Sequence, residues 1–512
     1  MSDSGVRLNE VLVALSTATD LGLGQPAEHM VRAARISMRI GGRLGLSSPQ
    51  LADLYDVSLL TYVGCPIFGN EAANLFGDDI DFRARAVKVD LAGRPAAQFL
   101  MRRAGAGMAP LARARRVAAV IGTSGRAVVE QMANHCSAAG ELANRLGLSA
   151  EVRAGIEQSY ARWDGEGVPA GVGGGELALS ARIAHLAEAC EVFERTGGVD
   201  AALAMVQARR STHFDPEIAA AVQSDPDALF AGINEDAARE ILDAEPVERA
   251  PLGDSELDAA LEAIGDFCDL RCPQFAGHSR GTAELVSAAL DQLGVAAPEA
   301  QLARRAALIH DVGRFGVPAS VWAKPGPLNS RETERMRMHA YYIDRIFARP
   351  ESLHRIGLLA ATHHERMDGS GYHRGLSGAL LSVPARVIAA ADAYHAMTQA
   401  RPYRDALSDD DAARQLKQDA SDGRLDHVAV DAVLAAAGHT TRPIRAVVTA
   451  ALTARETEVL RLLAQGLPNK SIAKRLAITP KTAGNHIEHI YTKLGVTNRA
   501  AATMRAVQDR LV

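Results

Sequence analysis

The sequence predicts an all-α protein. Alanine and leucine dominate, and aromatic residues make up only 4% of the 512 residues. Apolar positions recur at the 3.6-residue helical period throughout, while long alternating β-branched runs are scarce. At this length one core does not suffice, and about three domains are expected. The 47% apolar and 23% charged composition is ordinary for a soluble globular chain. Five cysteines (Cys65, Cys136, Cys190, Cys268 and Cys272) are an odd number and form no C-x-x-C pair. That fits a reducing compartment without a disulfide framework or zinc knuckle. The opening Met1-Ser2-Asp3-Ser4 has no leader pattern, and no apolar run approaches a membrane span. A cytoplasmic protein with no membrane partner is expected.

The net charge of −5 conceals an asymmetry. Residues 449–512 carry ten Lys/Arg and four Asp/Glu, leaving the remainder at −11. A small basic tail on a larger acidic body is the electrostatic footprint of a nucleic-acid binder.

The chain contains an internal repeat. Residues 8–64 align without a gap on 257–313, pairing Leu12 with Leu261, Asp20 with Asp269, His29 with His278, and Val63-Gly64 with Val312-Gly313. A second ungapped block pairs His135 with His339, Asp164-Gly165 with Asp368-Gly369, Gly167 with Gly371, and Ala181-Arg182 with Ala385-Arg386. The first copy carries about 45 extra residues between the blocks, roughly Ala72 to Ala133. The copies differ in chemistry. His310-Asp311 becomes Thr61-Tyr62, His363-His364 becomes Ser159-Tyr160, and Asp392 becomes Glu188. Threonine and tyrosine cannot replace imidazole and carboxylate on a divalent metal. The first copy, residues 1–249, therefore reads as a non-catalytic scaffold or sensor.

The second copy, residues 250–438, keeps the chemistry. An apolar, helix-like run over Ala303–His310 ends in His310-Asp311, with Gly313 as the breaker. Further helical patterns cover Ser330–Phe347, Leu353–His364, Pro384–Met397 and Ser408–Gln418, with loops at Pro325-Gly326-Pro327 and Gly369-Ser370-Gly371. Seven candidate metal ligands fall at or near these helix ends: His278, His310, Asp311, His339, His363, His364 and Asp392. Each histidine alone is ordinary, but the first copy has lost the adjacent pairs together, as a cooperating set would. Imidazole plus carboxylate suits Mn, Fe, Co, Ni or Zn, and a carboxylate can bridge two ions. Such a pair can acidify a shared water and clamp phosphoryl oxygens during in-line displacement.

Residues 270–438 resemble the HD-GYP branch of the HD superfamily of metal-dependent phosphohydrolases. The carrying motifs are His278-Ser-Arg280, His310-Asp-Val-Gly313, Lys324-Pro-Gly-Pro-Leu328, His339, His363-His-Glu-Arg-Met-Asp-Gly-Ser-Gly-Tyr372, Ala391-Asp-Ala-Tyr394 and Arg401-Pro-Tyr-Arg404. The resemblance implies an all-α domain holding two or three Fe or Mn ions, two sites being expected here, with Asp311 as the bridging ligand. It also implies hydrolysis of a phosphodiester, with cyclic di-GMP or a related nucleotide as substrate or ligand. Asp311, Arg314 and Lys324 are the expected catalytic residues. Arg314, Arg401 and Arg404 are the expected phosphate contacts, by bidentate geometry. Three positions depart from the family pattern. Arg314 replaces a lysine, the Gly-Tyr-Pro signature reads Gly371-Tyr372-His373, and Gln274 stands where some members place a glutamate for a third metal. These bear on rate, substrate and metal count. The competing expectation is a sensor that binds metal and nucleotide without hydrolysis.

Residues 439–450 read as a linker, and residues 451–512 as a separate module. Thr453-Ala-Arg-Glu456 is a capping box opening a helix that Gly466 ends. A second helix spans Asn469–Leu476. Thr479-Pro480 starts a third, with Ala483, Ile487 and Ile490 inward and Lys481, Thr482, Asn485, His486 and His489 outward. Two short helices and a tight turn with polar groups on the second make a helix-turn-helix. The pattern from Leu452 to Val496 closely resembles the LuxR-type (FixJ/NarL-like) DNA-binding domain. The resemblance implies double-stranded DNA as partner, contacts from Lys470, Lys481, Thr482, Asn485, His486 and Lys493, and a last helix near Arg499–Arg510 that dimerises on inverted half-sites. Gly484 takes the place of a larger polar residue there.

Overall fold

The structure, a computed structural model, describes residues 5–441 and 452–494 apart from 68, 91, 107 and 123–125, with a few positions beyond 494. The expected linker therefore lies almost wholly outside the described residues, as does most of the expected dimerising helix. Among the described residues all regular structure is helical, with three isolated bridges as the extended pairing. The helices are α1 (Leu8–Leu23), α2 (His29–Arg43), α3 (Ser48–Leu60), α4 (Gly69–Phe76), α5 (Asp79–Ala86), α6 (Gly93–Arg103), α7 (Pro110–Gly122), α8 (Arg126–Arg145), α9 (Ala150–Glu157) and α10 (Leu179–Arg209). Next come α11 (Pro216–Ser224), α12 (Pro226–Phe230), α13 (Ala237–Asp243), α14 (Asp254–Asp269), α15 (His278–Gln292), α16 (Ala297–Leu308), α17 (Ala319–Trp322), α18 (Ser330–Ile346), α19 (His354–Ala360), α20 (Val383–Met397), α21 (Asp409–Ser421) and α22 (His427–Ala436). The basic module contributes α23 (Ala454–Ala464), α24 (Asn469–Arg475) and α25 (Pro480–Leu494).

Local chemistry sets the helix starts. The Asn329 side chain accepts from the Glu332 amide at 2.9 Å, and Glu332 Oε2 accepts from the Asn329 amide at 2.8 Å. Two orphan donors of α18 are thereby satisfied. Thr453 and Glu456 do the same for α23.

The repeat is physical. Shifted along the chain, α2, α3, α8, α9 and α10 begin at the residues that pair with the starts of α15, α16, α18, α19 and α20. Both copies share one close backbone approach. A Cβ on Gly64 would lie 2.1 Å from the His135 carbonyl oxygen, and one on Gly313 would lie 2.0 Å from that of His339. No side chain fits there, so both copies keep glycine.

Two compact units arise, residues 1–276 with 312–353, and residues 277–311 with 354–512. The stretch 250–438, read from sequence as one domain, thus contributes to both. In the first unit, Ile36, Ile40, Leu54, Ile183, Leu186 and Val206 form a core between α2, α3 and α10. In the second, α15 packs on α16, α20 and α22 through Val286, Leu290, Ala303, Val387, Ile388 and Val433, all fully buried. Each large aliphatic side chain buried this way stabilises the fold by roughly 1.5–3 kcal/mol.

Candidate metal centre and DNA-binding face

The expected helix through His310 ends earlier, at Leu308. The last carbonyls of a helix lack intrahelical partners, and here a side chain takes one of them. His310 Nδ1 donates to the Ala307 carbonyl at 2.6 Å. The end of α19 repeats the device: His363 Nδ1 donates to the Ala360 carbonyl at 2.8 Å. A carbonyl only accepts, so Nδ1 carries a proton and Nε2 is the nitrogen left to face a metal. Both histidines are fully buried with Nε2 turned toward carboxylates.

Asp311 follows His310 directly, in the turn before a short 3-10 segment. Its Oδ2 lies 3.1 Å from His310 Nε2 and 3.5 Å from His278 Nε2, while its Oδ1 lies 3.8 Å from His363 Nε2. Asp392, in the middle of α20, places Oδ1 3.1 Å from His278 Nε2 and 3.6 Å from His310 Nε2, and Oδ2 3.6 Å from His364 Nδ1. Ligand atoms of His278, His310 and Asp311 all fall within 4.8 Å of one another. Two buried carboxylates thus each face two sides.

The electrostatics match a cation-seeking site. Burial pulls the His310 pKa down, but Asp311 and Asp392 outweigh it and raise it to about 10. Burial pushes Asp392 up, but contacts with His278 and His310 hold it well below the carboxylate range. Buried, converging imidazole nitrogens and carboxylates are the donor set for a divalent transition metal, and the residues fit such ions.

The other expected residues have the following surroundings. His339 is buried in α18, with Nδ1 bonded to the Met336 carbonyl and its ring against Trp322, at 5.5 Å between centroids. It repeats the tautomer-fixing device of His310 and His363. Arg314 is buried with its guanidinium 3.9 Å above the Phe275 ring and 5.3 Å from Trp322. Lys324 pairs with Glu332 at 2.5 Å. Arg401 donates to Gln399 Oε1 at 3.1 Å. Arg404 donates to the carbonyls of Ala396, Met397, Gln399 and Asp405, at 2.6–3.2 Å. That geometry makes Arg404 a brace for the loop after α20.

Two residues, half-buried His395 and buried Glu365, escaped the sequence reading. His395, one helical turn beyond Asp392, shares a proton with His278 across a 3.0 Å Nδ1–Nδ1 contact. Burial lowers its pKa to about 4, so it stays neutral. The i, i+3 spacing from Asp392 was the available signal. Glu365 accepts from the amides of Arg374 and Leu376, both at 2.8 Å, and so shapes the Gly-rich loop. A Cβ on Gly281 would meet His395 Nε2 at 2.0 Å. Gly281→Ala is expected to push His395 off His278 and weaken metal retention roughly tenfold, read by metal content after dialysis against a chelator series.

In the first copy half of this design survives. Thr61, which pairs with His310, donates its hydroxyl to the Val57 carbonyl at 2.7 Å. Ser159, which pairs with His363, donates to the Ile156 carbonyl at 2.6 Å. The helix ends stay capped, but no second nitrogen remains to face a metal.

On the basic module, Val459, Leu460, Leu463, Ile472, Ala483, Ile487 and Ile490 form the core. The Thr479 hydroxyl accepts from the Thr482 amide at 3.1 Å, and Pro480 opens α25. Lys470, Lys481 and Asn485 are exposed, and Thr482 and His486 half-exposed. Lys493 donates to Glu456 at 2.7 Å and ties α25 to α23. It braces the module, a role its expected DNA contact did not anticipate.

Comparisons with known proteins follow these features. Residues 122–218 and 262–428 match the HD domain family. Residues 450–506 match the luxR family of bacterial regulatory proteins. A 3'3'-cGAMP-specific phosphodiesterase 3 of Vibrio cholerae is 30% identical over 429 residues, which span 83% of this chain and 92% of that protein. The cyclic di-GMP phosphodiesterase response regulator RpfG of Xanthomonas campestris is 39% identical over 147 residues, 28% of this chain and 38% of that protein. The crystal structure of a cyclic GMP-AMP specific phosphodiesterase of V. cholerae superposes with a TM-score of 0.58 and 27% identity, covering 85% of this chain and 99% of that one.

Proposed function

Because the chain belongs to the HD-domain family and carries a luxR-family regulatory DNA-binding domain, we propose that it is a DNA-binding regulator whose second HD copy hydrolyses a cyclic dinucleotide on two divalent ions. One observation carries the reading: the buried Asp311 turns one oxygen toward His278 and His310 and the other toward His363. His278, His310 and Asp392 would hold one ion with Asp311. His363 and His364 would hold the other. Such ions, Fe or Mn, supply Lewis acidity and an acidified water beside the phosphodiester. The protein fixes their ligands: carbonyls at Ala307 and Ala360 hold His310 and His363 in the ligating tautomer. Arg401 is the cation assigned to a substrate phosphate. One relative named for 3'3'-cGAMP matches 83% of this chain, while one named for cyclic di-GMP matches 28% of it, so 3'3'-cGAMP is the first substrate to try.

The test is turnover of 3'3'-cGAMP and cyclic di-GMP by the purified full chain with Fe(II) or Mn(II) supplied, alongside its metal content. A linear dinucleotide product and about two ions per chain are the expected result. Bound metal without turnover of either compound moves the reading to a sensor. One observation favours that alternative: Arg404 is committed to backbone carbonyls, leaving fewer cations for phosphate.

The regulatory output is assigned to the basic module, acting as a homodimer in the cytoplasm. Lys481, exposed at the start of α25, is placed on a phosphate. Lys481→Ala is expected to weaken binding evenly across sequences and to lower the slope of log K against log salt by about one. Asn485→Ala is expected to relax sequence preference instead. Salt-titrated binding to a selected operator and to random duplex separates the two.

A further inference from the structure

We propose that the first HD copy is a receptor for an anionic amphiphile, an acyl chain with one carboxylate, bound where its metal site has been lost. The first copy encloses a cavity of about 650 Å³. That is the size of a small-molecule site. Its floor is the vestige of a metal centre: Tyr62, His135, Ser159, Tyr160 and Glu188 line it, and they pair in the repeat with Asp311, His339, His363, His364 and Asp392. Its roof comes from the segment the second copy lacks. Phe82, Val87, Leu100, Met101, Val128 and Met132, on or beside α5, α6 and α8, all face the cavity.

The lining decides the ligand class. An apolar roof offers no partners to ribose or to several phosphates, and burying those groups unpaired would be costly. It suits an acyl chain. The histidines are neutral: burial lowers the pKa of His135 to about 3 and of His185 to about 4. Charge on the lining is mostly neutralised from behind. Arg162 pairs with Asp90 and Asp164, and Glu188 faces His29 at 3.4 Å. Glu166 is exposed at the rim. Two cationic positions remain. Arg83 is 7% exposed, and while its Nη1 donates to Asp79, its Nη2 makes no hydrogen bond among the described residues. Arg209 donates to the Lys88 carbonyl at 2.9 Å and has no acid within ion-pair distance among the described residues. One carboxylate would satisfy these donors, and charge-assisted bonds of this kind are the strong ones.

The probe is dodecanoate, titrated calorimetrically into the full chain below its micellar concentration, with dodecanol as the neutral match. Saturable binding at one site per chain is expected, with dodecanol about tenfold weaker. Arg209→Gln is expected to close most of that gap. Leu100→Trp and Met132→Trp, which fill the roof from two different helices, should each abolish binding while helicity and metal content stay at wild-type levels. If one of them fails to fold, the other decides. No saturable binding to the wild type, undiminished binding in a folded tryptophan variant, or equal affinity for dodecanol overturns the proposal. The result is independent of the hydrolase reading, since no second-copy ligand is touched.

Discussion

Asp311→Ala is expected to lower kcat/KM on the cyclic dinucleotide by at least roughly 10³-fold, about 4 kcal/mol of transition-state stabilisation. Its Oδ2 faces His278 and His310 while its Oδ1 faces His363, so one carboxylate serves two histidine groups. Removing it strips a shared ligand from both proposed ions at once, so the two sites should empty together and not one by one. The same change has an opposite expected effect on the metal-free fold. Asp311 and Asp392 are buried carboxylates held close to one another's histidines, and desolvating such charges is costly without a cation between them. In chelator, therefore, Asp311→Ala should melt no lower than wild type, and in excess metal it should melt lower, because wild type alone gains the binding free energy. Equal melting shifts in both conditions would make Asp311 an ordinary structural residue and remove the two-metal reading.

Much of this was legible in the sequence, and the reason is local. Capping residues declare helix starts, so Thr453 and Thr479 marked α23 and α25 correctly. The candidate ligands could be picked out because metals demand imidazole and carboxylate, and because the repeat supplied a contrast in which the adjacent pairs vanish. The way each histidine is held was not. His310 and His363 use one nitrogen as a helix cap, which spacing alone does not disclose, and that is why α16 ends two residues before His310. The first copy shows the two roles separating. Thr61 and Ser159 preserve the cap with a hydroxyl and discard the ligand. Degeneration there was constrained by the backbone carbonyl and free only at the metal-facing atom.

The long-range partners were the least legible part. The carbonyl partners of Arg404 and the carboxylate partner of Lys493, each within its own unit, could not be read from spacing. The extra segment after Ala72 appeared only as a gap in the repeat. No period in it announced a cavity roof, since its apolar residues face an opening made by other helices. Nor did composition identify Arg271, which brings the strongest stability prediction.

Arg271→Met is expected to destabilise the first unit by about 3–5 kcal/mol. Arg271 is fully buried, a rare state for arginine. Its guanidinium donates to the Val317 and Pro66 carbonyls and to Asp79 Oδ2 at 3.2 Å. Asp79, also fully buried, accepts from Arg83 at 2.6 Å and from the Ala319 amide at 2.8 Å. One ion pair thus ties the end of α14, the start of α5 and the segment leading into α17. Methionine keeps much of the apolar stem but leaves two carbonyls without donors and a buried carboxylate with one cation in place of two. A fall of roughly 10 °C in the melting of that unit is the expected reading. Asp79→Asn alone should cost a comparable amount, and the double variant less than the sum, because the two share the interaction. The pH dependence follows from the sign of the shift. Burial raises the Asp79 pKa, but Arg271 and Arg83 outweigh it and hold it below 3.8. Its contribution is therefore complete above the unfolded aspartate pKa near 4 and is lost as pH falls through the lower folded value. The gap between wild type and Arg271→Met should stay constant from neutral pH down to about 5 and narrow below 4. A gap that instead narrowed between pH 5 and 7 would assign the loss to a histidine and not to this pair.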